Sequence, residues 1–488
     1  MLSGVALCPG LFYDTPAQDG ILSRIRIPGG ILDSKQCRAI ADITENYGGG
    51  YVDVTNRANL QIRELRSGIN LPVLQNLQNI GIGSRNFAVD HIRNIMTSPT
   101  SGIDPQELID TRPLIQDWEN YIATHPSLGG LSAKFSVGFD GGGQVSVCDR
   151  LNDIMFAAIL IDSTVYFRLY LSVGVKGKPP VDMGIVLLPE SCLPVLAALA
   201  EVYLDHTDIQ SRRKLRLREL LNNLGCETYL QQVEQRLGFE LTPHPPLYKT
   251  SSPEKSLNSH YSHIGIHPQR QQGLFYIGVV LPLGRLESQQ IRGLADLAEK
   301  FGSGTLRLTP WQNLLLTDIP QRSLTHVKSE IAVLKLDISV NNINTALVAC
   351  SGNQGCASSA TDTKGDAKAL AKYLETHVSL NHPVHIHFSG CEKSCAQHNH
   401  SDITLLGDNL ESENGTLGAY HIYVGEGDSE QKFGRQLYQY VTVAELPVLL
   451  GQMLQVYQNQ CRNPDESFRE FVNRYEIAQL QPLFSPVT

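Results

Sequence analysis

Along TNRANLQIR (residues 55–63) every odd position is polar: Thr55, Arg57, Asn59, Gln61 and Arg63. Ala58, Leu60 and Ile62 fall on the even ones. Successive side chains of a strand point to opposite faces, so this stretch predicts a strand with one polar and one apolar side. Upstream, Ala39, Ile40, Ile43 and Tyr47 share one stripe of a helix that follows a Pro-Gly corner at residue 28 and stops in a run of glycines at 48–50. Strand, corner, amphipathic helix, glycine stop and second strand together read as a βαβ unit.

The same unit occurs twice. Residues 28–60 align without a gap on residues 282–314, an offset of 254, and 14 of the 33 positions are identical. A repeat spaced this widely implies two half-molecules related by an approximate two-fold, with a site at their junction. The polar face has diverged: the second copy places Thr309, Trp311, Asn313 and Leu315 where the first has its arginines. A row of guanidiniums and amides suits a ligand with several carboxylates, because Arg binds carboxylate bidentately; the plainer reading is a solvated strand face. AKFSVGFDGGG alternates again, with Lys134, Ser136 and Asp140 opposite Phe135, Val137 and Phe139, and Lys134 joins the expected anion pocket. Arg93, just before a loop, is a further candidate.

Composition narrows the classes. The chain has 488 residues, 42% hydrophobic and 18% charged, which is that of a folded protein of several domains. A net charge of -9 argues against general affinity for nucleic acid or an anionic membrane, so any anion site must be local. The longest apolar runs, such as IMFAAILI, fall short of the roughly 20 residues that span a bilayer. The N-terminal MLSGVALCPG lacks a basic leader, and the expectation is a cytoplasmic protein. Residues 242–270, rich in Pro, Ser and His, read as a connector. The basic stretch SRRKLRLRELLNNLG (211–225) reads as a helix with a solvated face or a docking surface for an acidic redox partner.

Ten cysteines without framework spacing are expected to be thiols or metal ligands. Cys37, Cys148, Cys192, Cys226 and Cys461 look like scattered small hydrophobes. Cys350, Cys356, Cys391 and Cys395 form a pattern, Cys-x5-Cys followed by Cys-x3-Cys, with Gly352, Gly355 and Gly390 beside them to admit a bulky cofactor. The repeat offset carries the loop containing Arg93 onto the first pair and the strand of Lys134 near the second. Cys391 and Cys395 are expected at a strand-to-helix turn, on one side of the first helical turn. Four thiolates on two unequal loops fit an iron-sulfur cluster better than zinc, whose paired ligands are more closely spaced.

With these residues in view, the chain resembles the sirohaem-dependent nitrite and sulfite reductase superfamily over nearly its whole length. The resemblance rests on the doubled unit, the four cysteines, the Thr-x-Arg-x-Asn-x-Gln segment and the tail FREFVNRY. It implies an α+β fold of two pseudo-two-fold related halves, each with a ferredoxin-like half-domain and an α/β domain that binds cluster or tetrapyrrole. The implied boundaries are 18–92 and 93–243, a linker at 244–269, then 270–342 and 343–478. Cys350, Cys356, Cys391 and Cys395 would hold a [4Fe-4S] cluster, with Cys395 bridging to sirohaem in a reductase.

Within the superfamily, CPGL (8–11), DGILSRIRIPGG, VDVTNRANLQIR, KFSVGFDGGG and LRLTPWQNLLL look like the precorrin-3B synthase family. That resemblance implies an oxygen-dependent monooxygenase of cobalamin biosynthesis, converting precorrin-3A to precorrin-3B by ring hydroxylation and lactone formation. The tetrapyrrole carboxylates would then be anchored by Arg57, Asn59, Gln61, Arg63, Arg93 and Lys134. Electrons would come from an external donor such as ferredoxin or an NAD(P)H-linked reductase. A mononuclear non-haem iron is also implied, with His385, His387, His398, His400 and Asp140 as candidate ligands. Ala133 and Ser136, where reductases carry further polar or basic groups, point the same way. The alternatives are a sirohaem-dependent assimilatory nitrite or sulfite reductase and a non-enzymatic tetrapyrrole carrier.

Overall fold

The computed structural model describes residues 10–13, 15–211, 213–244, 261–397, 401–412, 415–427 and 432–485. Both βαβ units are present, each within a five-stranded sheet. The first runs Thr15–Ala17, Gly20–Ile25, Leu60–Leu65, Tyr51–Val54, Arg285–Glu287; the second runs Gly265–Pro268, Leu274–Val279, Leu314–Pro320, Thr305–Leu308, Ile31–Asp33. The last strand of each sheet therefore comes from the other half, pairing antiparallel with Tyr51–Val54 or Thr305–Leu308. Two corner glycines make the exchange sterically possible. Gly30 and Gly284 sit at φ 72° and 69°, and a Cβ on them would lie 2.8 Å from Leu308 O and 3.1 Å from Val54 O.

The helices Ser34–Tyr47 and Ser288–Phe301 start with matching capping boxes, Asp33 with Gln36 and Glu287 with Gln290. They pair across the approximate two-fold through reciprocal ion pairs. Arg38 meets Asp296 (2.7 Å) and Glu299, while Arg292 meets Asp42 (2.6 Å) and Glu45 (2.7 Å). Each partner is 254 residues from its counterpart, so the contact is isologous, as between the subunits of a dimer. One apolar core runs through both units, from Ile25, Ile40 and Ile62 to Ile277, Leu294 and Leu316.

Two further sheets repeat one another. Ile95–Thr97, Val137–Asp140, Ile154–Ile161, Thr164–Leu171 and Val181–Leu187 pair parallel, parallel, antiparallel, antiparallel. Leu347–Ala349, Ile386–Ser389, Ile403–Ser412, Gly415–Val424 and Arg435–Thr442 follow the same sequence of pairings. Each sheet packs on its own core. No helix among the described residues is long and apolar enough to cross a membrane.

Several local expectations change. Among its described residues the basic stretch is helical only at Leu217–Leu224, where Leu217, Leu220 and Leu221 supply a buried stripe. Cys391 and Cys395 lie in a non-helical turn with Ser394 at φ 54°. Lys134 lies in a turn before its strand, whereas Cys391 follows the equivalent strand, so the simple offset misplaced them at opposite strand ends. The end of the expected connector forms the edge strand Gly265–Pro268.

Candidate redox site

Two copies of one turn face each other across the junction. Thr55 Oγ1 accepts the Asn59 N–H (3.1 Å), and Thr309 Oγ1 accepts that of Asn313 (3.1 Å). Asn59 Oδ1 takes the N–H of Ile27 (2.8 Å), and Asn313 Oδ1 that of Leu281 (3.1 Å). Short polar side chains satisfy the backbone of a tight turn, which is why Thr and Asn stand in both copies. Asn59 also donates to Asn94 Oδ1 (2.9 Å), so its amide braces the pocket wall and leaves little for a ligand.

A cavity of about 610 Å³ opens between the turns. Its wall carries Arg24, Arg26, Arg57, Lys134, Arg150, Lys176 and Arg216 from the first half and Lys364 and Lys393 from the second; among the described residues Asp53 is its single acid. In a chain of net charge -9 this is a strongly cationic enclosure. Some of the charge is already matched: Lys364 lies 2.9 Å from Asp53, Arg216 3.1 Å from Asp153, and Arg26 3.8 Å from Asp90. Burial works to raise the Asp53 carboxyl, but Lys364 and Arg285 outweigh it and hold it below the usual range. Arg57 donates to Asn152 Oδ1 at 3.0 Å. Burial lowers its guanidinium to about 10, with Asp153 opposing and Arg216 and Arg24 adding to the fall. It stays protonated at neutral pH, and an anionic ligand would relieve that strain.

Of the expected anion-binding residues, Arg57, Asn59, Gln61 and Lys134 line the cavity. Arg63 and Arg93 do not. Arg63 is turned to Asp19 (2.7 Å), and Arg93 is buried between Asp90 (3.1 Å) and Glu119. Period two assigns a face but does not say which carboxylates other segments bring against it. Reading the chain as a strand also missed Arg24 and Arg26, although LSRIRI alternates in the same way. Arg216 was assigned to a solvated helix, and Arg150, Lys176, Lys364 and Lys393 stand on loops and a helix start that carry no period.

The four patterned cysteines gather at one end of the cavity. Cys350 and Cys395 line it. Partial desolvation, then the neighbouring Cys391, Cys350 and Cys356, push the Cys395 thiol up. Cys350 Sγ accepts the Gly390 N–H at 3.3 Å and lies 3.4 Å from Thr363 Oγ1. The glycines are sterically required: a Cβ on Gly390 would stand 1.6 Å from Ser359 Oγ, and one on Gly352 2.8 Å from Thr363 N.

Among the described residues no three His, Cys, Asp or Glu side chains converge as a site for a single metal ion. Zinc would hold its sulfurs within about 4.6 Å of each other, twice a Zn–S bond; a cluster with one thiolate per iron spaces them wider. The expected mononuclear iron gains no ligand set here. Asp140 is occupied by the N–H groups of Gly142 (2.9 Å), Val147 (2.6 Å) and Cys148 (3.0 Å). His385 and His387 are buried, and the His385 ring lies 3.3 Å from Gln397 Nε2. His398 and His400 lie outside the described residues.

Fold and site define a redox protein built from two equivalent halves, with a cationic cavity against a four-cysteine corner. The chain belongs to the nitrite and sulfite reductase family, an oxidoreductase family. The profile described as "Nitrite and sulphite reductase 4Fe-4S domain" matches residues 88–241 and 341–484, and "Nitrite/Sulfite reductase ferredoxin-like half domain" matches 14–79 and 267–334. The ferredoxin–nitrite reductase of Synechococcus elongatus is 30% identical, over 91% of this chain and 88% of its own. The chloroplastic ferredoxin–nitrite reductase of Zea mays is 31% identical, over 85% and 75%. The solved structure of the Mycobacterium tuberculosis NirA protein superposes with a TM-score of 0.79 at 24% identity, over 94% of this chain and 84% of that one, a likeness of fold.

The Synechococcus and maize relatives, both named as ferredoxin–nitrite reductases, overturn the expectation of a precorrin-3B synthase. Ala133 and Ser136 do not weigh against a reductase. Ser136 is buried with its hydroxyl on Asp153 Oδ2 (3.3 Å), and positive charge absent from 133 and 136 reaches the cavity from other elements.

Proposed function

We propose that this chain is a sirohaem-dependent reductase of a small oxyanion, nitrite first, driven by ferredoxin or a similar one-electron donor. The observation that carries the reading is the placement of Cys350 and Cys395 on the wall of a cavity lined, among the described residues, by nine basic side chains and one acidic one. A polycarboxylate macrocycle fits such an enclosure, and Cys350, Cys356, Cys391 and Cys395 fit a [4Fe-4S] cluster at its edge. The donors named for the relatives support ferredoxin as partner.

Sirohaem, when bound, supplies the metal that coordinates the oxyanion and passes it electrons. The chain's own contribution is electrostatic. Arg57, half-buried and charged, and Arg24 beside it would take ring carboxylates, the guanidinium fork matching each carboxylate plane. Lys134, exposed on the wall, would draw the oxyanion in and steady the negative charge that builds on its oxygens. Gln61 adds an uncharged donor on the same face.

The purified protein decides. Sirohaem absorption, a cluster EPR signal on reduction, and nitrite consumption with reduced ferredoxin are expected. A preparation reconstituted with cluster and sirohaem that turns over neither nitrite nor sulfite would refute the proposal.

A further inference from the structure

The first half reaches across the junction to both cysteine loops. Arg63 grips Asp19 with two N–H···O bonds, Nε to Oδ2 (2.7 Å) and Nη2 to Oδ1 (3.0 Å), and Nη2 also donates to Gly355 O at 2.7 Å. Gly355 directly precedes Cys356. A Cβ there would stand 2.3 Å from Arg63 Nη2, so the missing side chain is what admits the guanidinium. On the other loop, Asn56 Nδ2 donates to Ala396 O at 3.1 Å, one residue after Cys395, and Gln312 Nε2 approaches the same oxygen at 3.5 Å. Ser394, just before Cys395, has φ 54°, a backbone conformation that L residues avoid, and its hydroxyl donates to Gln397 O. A turn of that shape persists only while its surroundings hold it.

We propose that Arg63 and Asn56 are positioning residues for the cluster, gripping the carbonyls beside Cys356 and Cys395 and so fixing where two of the four thiolates stand. The inference rests on the cluster site proposed above and adds a task for the first half beyond binding an anion. Arg63 is nearly closed to solvent and paired with Asp19, so it is not available to a ligand carboxylate. Hydrogen bonds and charge around a cluster tune its potential, so these contacts have a spectroscopic consequence apart from turnover.

The test uses the full chain reconstituted with cluster and sirohaem. Asp19→Asn with Arg63→Met replaces the ion pair by neutral groups without stranding a buried charge; Asn56→Ala removes the other grip. Both are expected to keep full iron content, to change the EPR line shape of the reduced cluster, and to shift its midpoint potential. Arg63→Lys, which keeps a donor and the charge, is expected to shift it less. For Asn56→Ala, kcat is expected to fall about tenfold, the equivalent of one lost hydrogen bond, with the KM for nitrite within about twofold. Wild-type line shape and potential in both variants, at full iron content, would overturn the inference. Should the double variant not fold, Asn56→Ala alone decides on the same readouts. A wild-type chain that takes up no cluster would instead defeat the proposed function, which keeps the two failures apart.

Discussion

Residues 98–107 in the first half and 350–356 in the second follow the first strand of equivalent sheets, yet they are filled in opposite ways. In the first half the loop is closed by its own carboxylates: Asp104 accepts the Gln144 N–H (2.8 Å) and the Thr100 hydroxyl (3.2 Å), and Glu107 accepts the Gly102 N–H (2.7 Å). Arg307 seals it, donating to Pro99 O (3.1 Å) and Ser101 O (2.6 Å). At the position equivalent to Arg307 the first half has Asp53, which holds Lys364 beside the open cysteine loop. One backbone plan thus yields a solid corner and a receptive one, and the difference lies in a few side chains, among them Asp53 and Arg307, whose charge is inverted between copies.

The sharpest way to break this comparison is Cys391→Ser. It is expected to abolish the reduced-cluster EPR signal and donor-driven turnover; an unchanged signal would remove the redox task from the second half. Next is Arg57→Ala, expected to weaken tetrapyrrole binding by about 1.5–3 kcal/mol, the scale of a charge-assisted hydrogen bond. Its counterpart Trp311, stacked near Arg150 at 5.2 Å, should matter less: Trp311→Ala is expected to cost about 1 kcal/mol, the worth of a cation–π contact. Titration of the apo chain with the ring, followed by absorbance, compares the two.

A smaller effect probes the sealed corner. Burial raises the Glu107 carboxyl to about 7, against the pull of the Gly102 N–H. The folded state therefore holds the proton more tightly than the unfolded chain. Its stabilising contribution is complete below pH about 4.3 and is lost as pH rises through about 7. Glu107→Gln is expected to remove roughly 1–3 kcal/mol of that pH dependence, read from melting temperatures between about pH 4.5 and 8. Smallest are Arg38→Ala and Arg292→Ala, each expected to cost about 0.5–1 kcal/mol, equally and less in high salt, because these exposed pairs are related by the two-fold. Unequal losses in denaturant titrations would show that the interface is less symmetric than its geometry.

The duplication was legible because apolar period and corner glycines repeat at a fixed offset, and these same residues build the paired helices and the crossed sheets. The four cysteines were legible as a group through their spacing, and the structure brings them together beside the cavity. Strand parity sets Arg63 beside Arg57, and Arg93 is a candidate from its place before a loop; neither signal sees Asp19, Asp90 or Glu119, the carboxylates that hold these two side chains away from the cavity. The cavity's cations at 150, 176, 364 and 393 were invisible for the same reason, being assembled from loops remote in sequence. Choosing between relatives that share one scaffold was least legible, since Ala133 and Ser136 say little once other side chains supply the charge.

The exchanged strands bear on how the chain is made. During synthesis the first sheet stands with Tyr51–Val54 bare along one side until Arg285–Glu287 emerges, 231 residues after Val54. At ribosomal speeds of about 5–20 residues per second that wait is roughly 10–50 s, long enough for stray strand pairing between neighbouring nascent chains. Production of this protein is therefore expected to depend on chaperone shielding of its unfinished N-terminal portion, and a truncation ending before residue 285 to be recovered chiefly as aggregate.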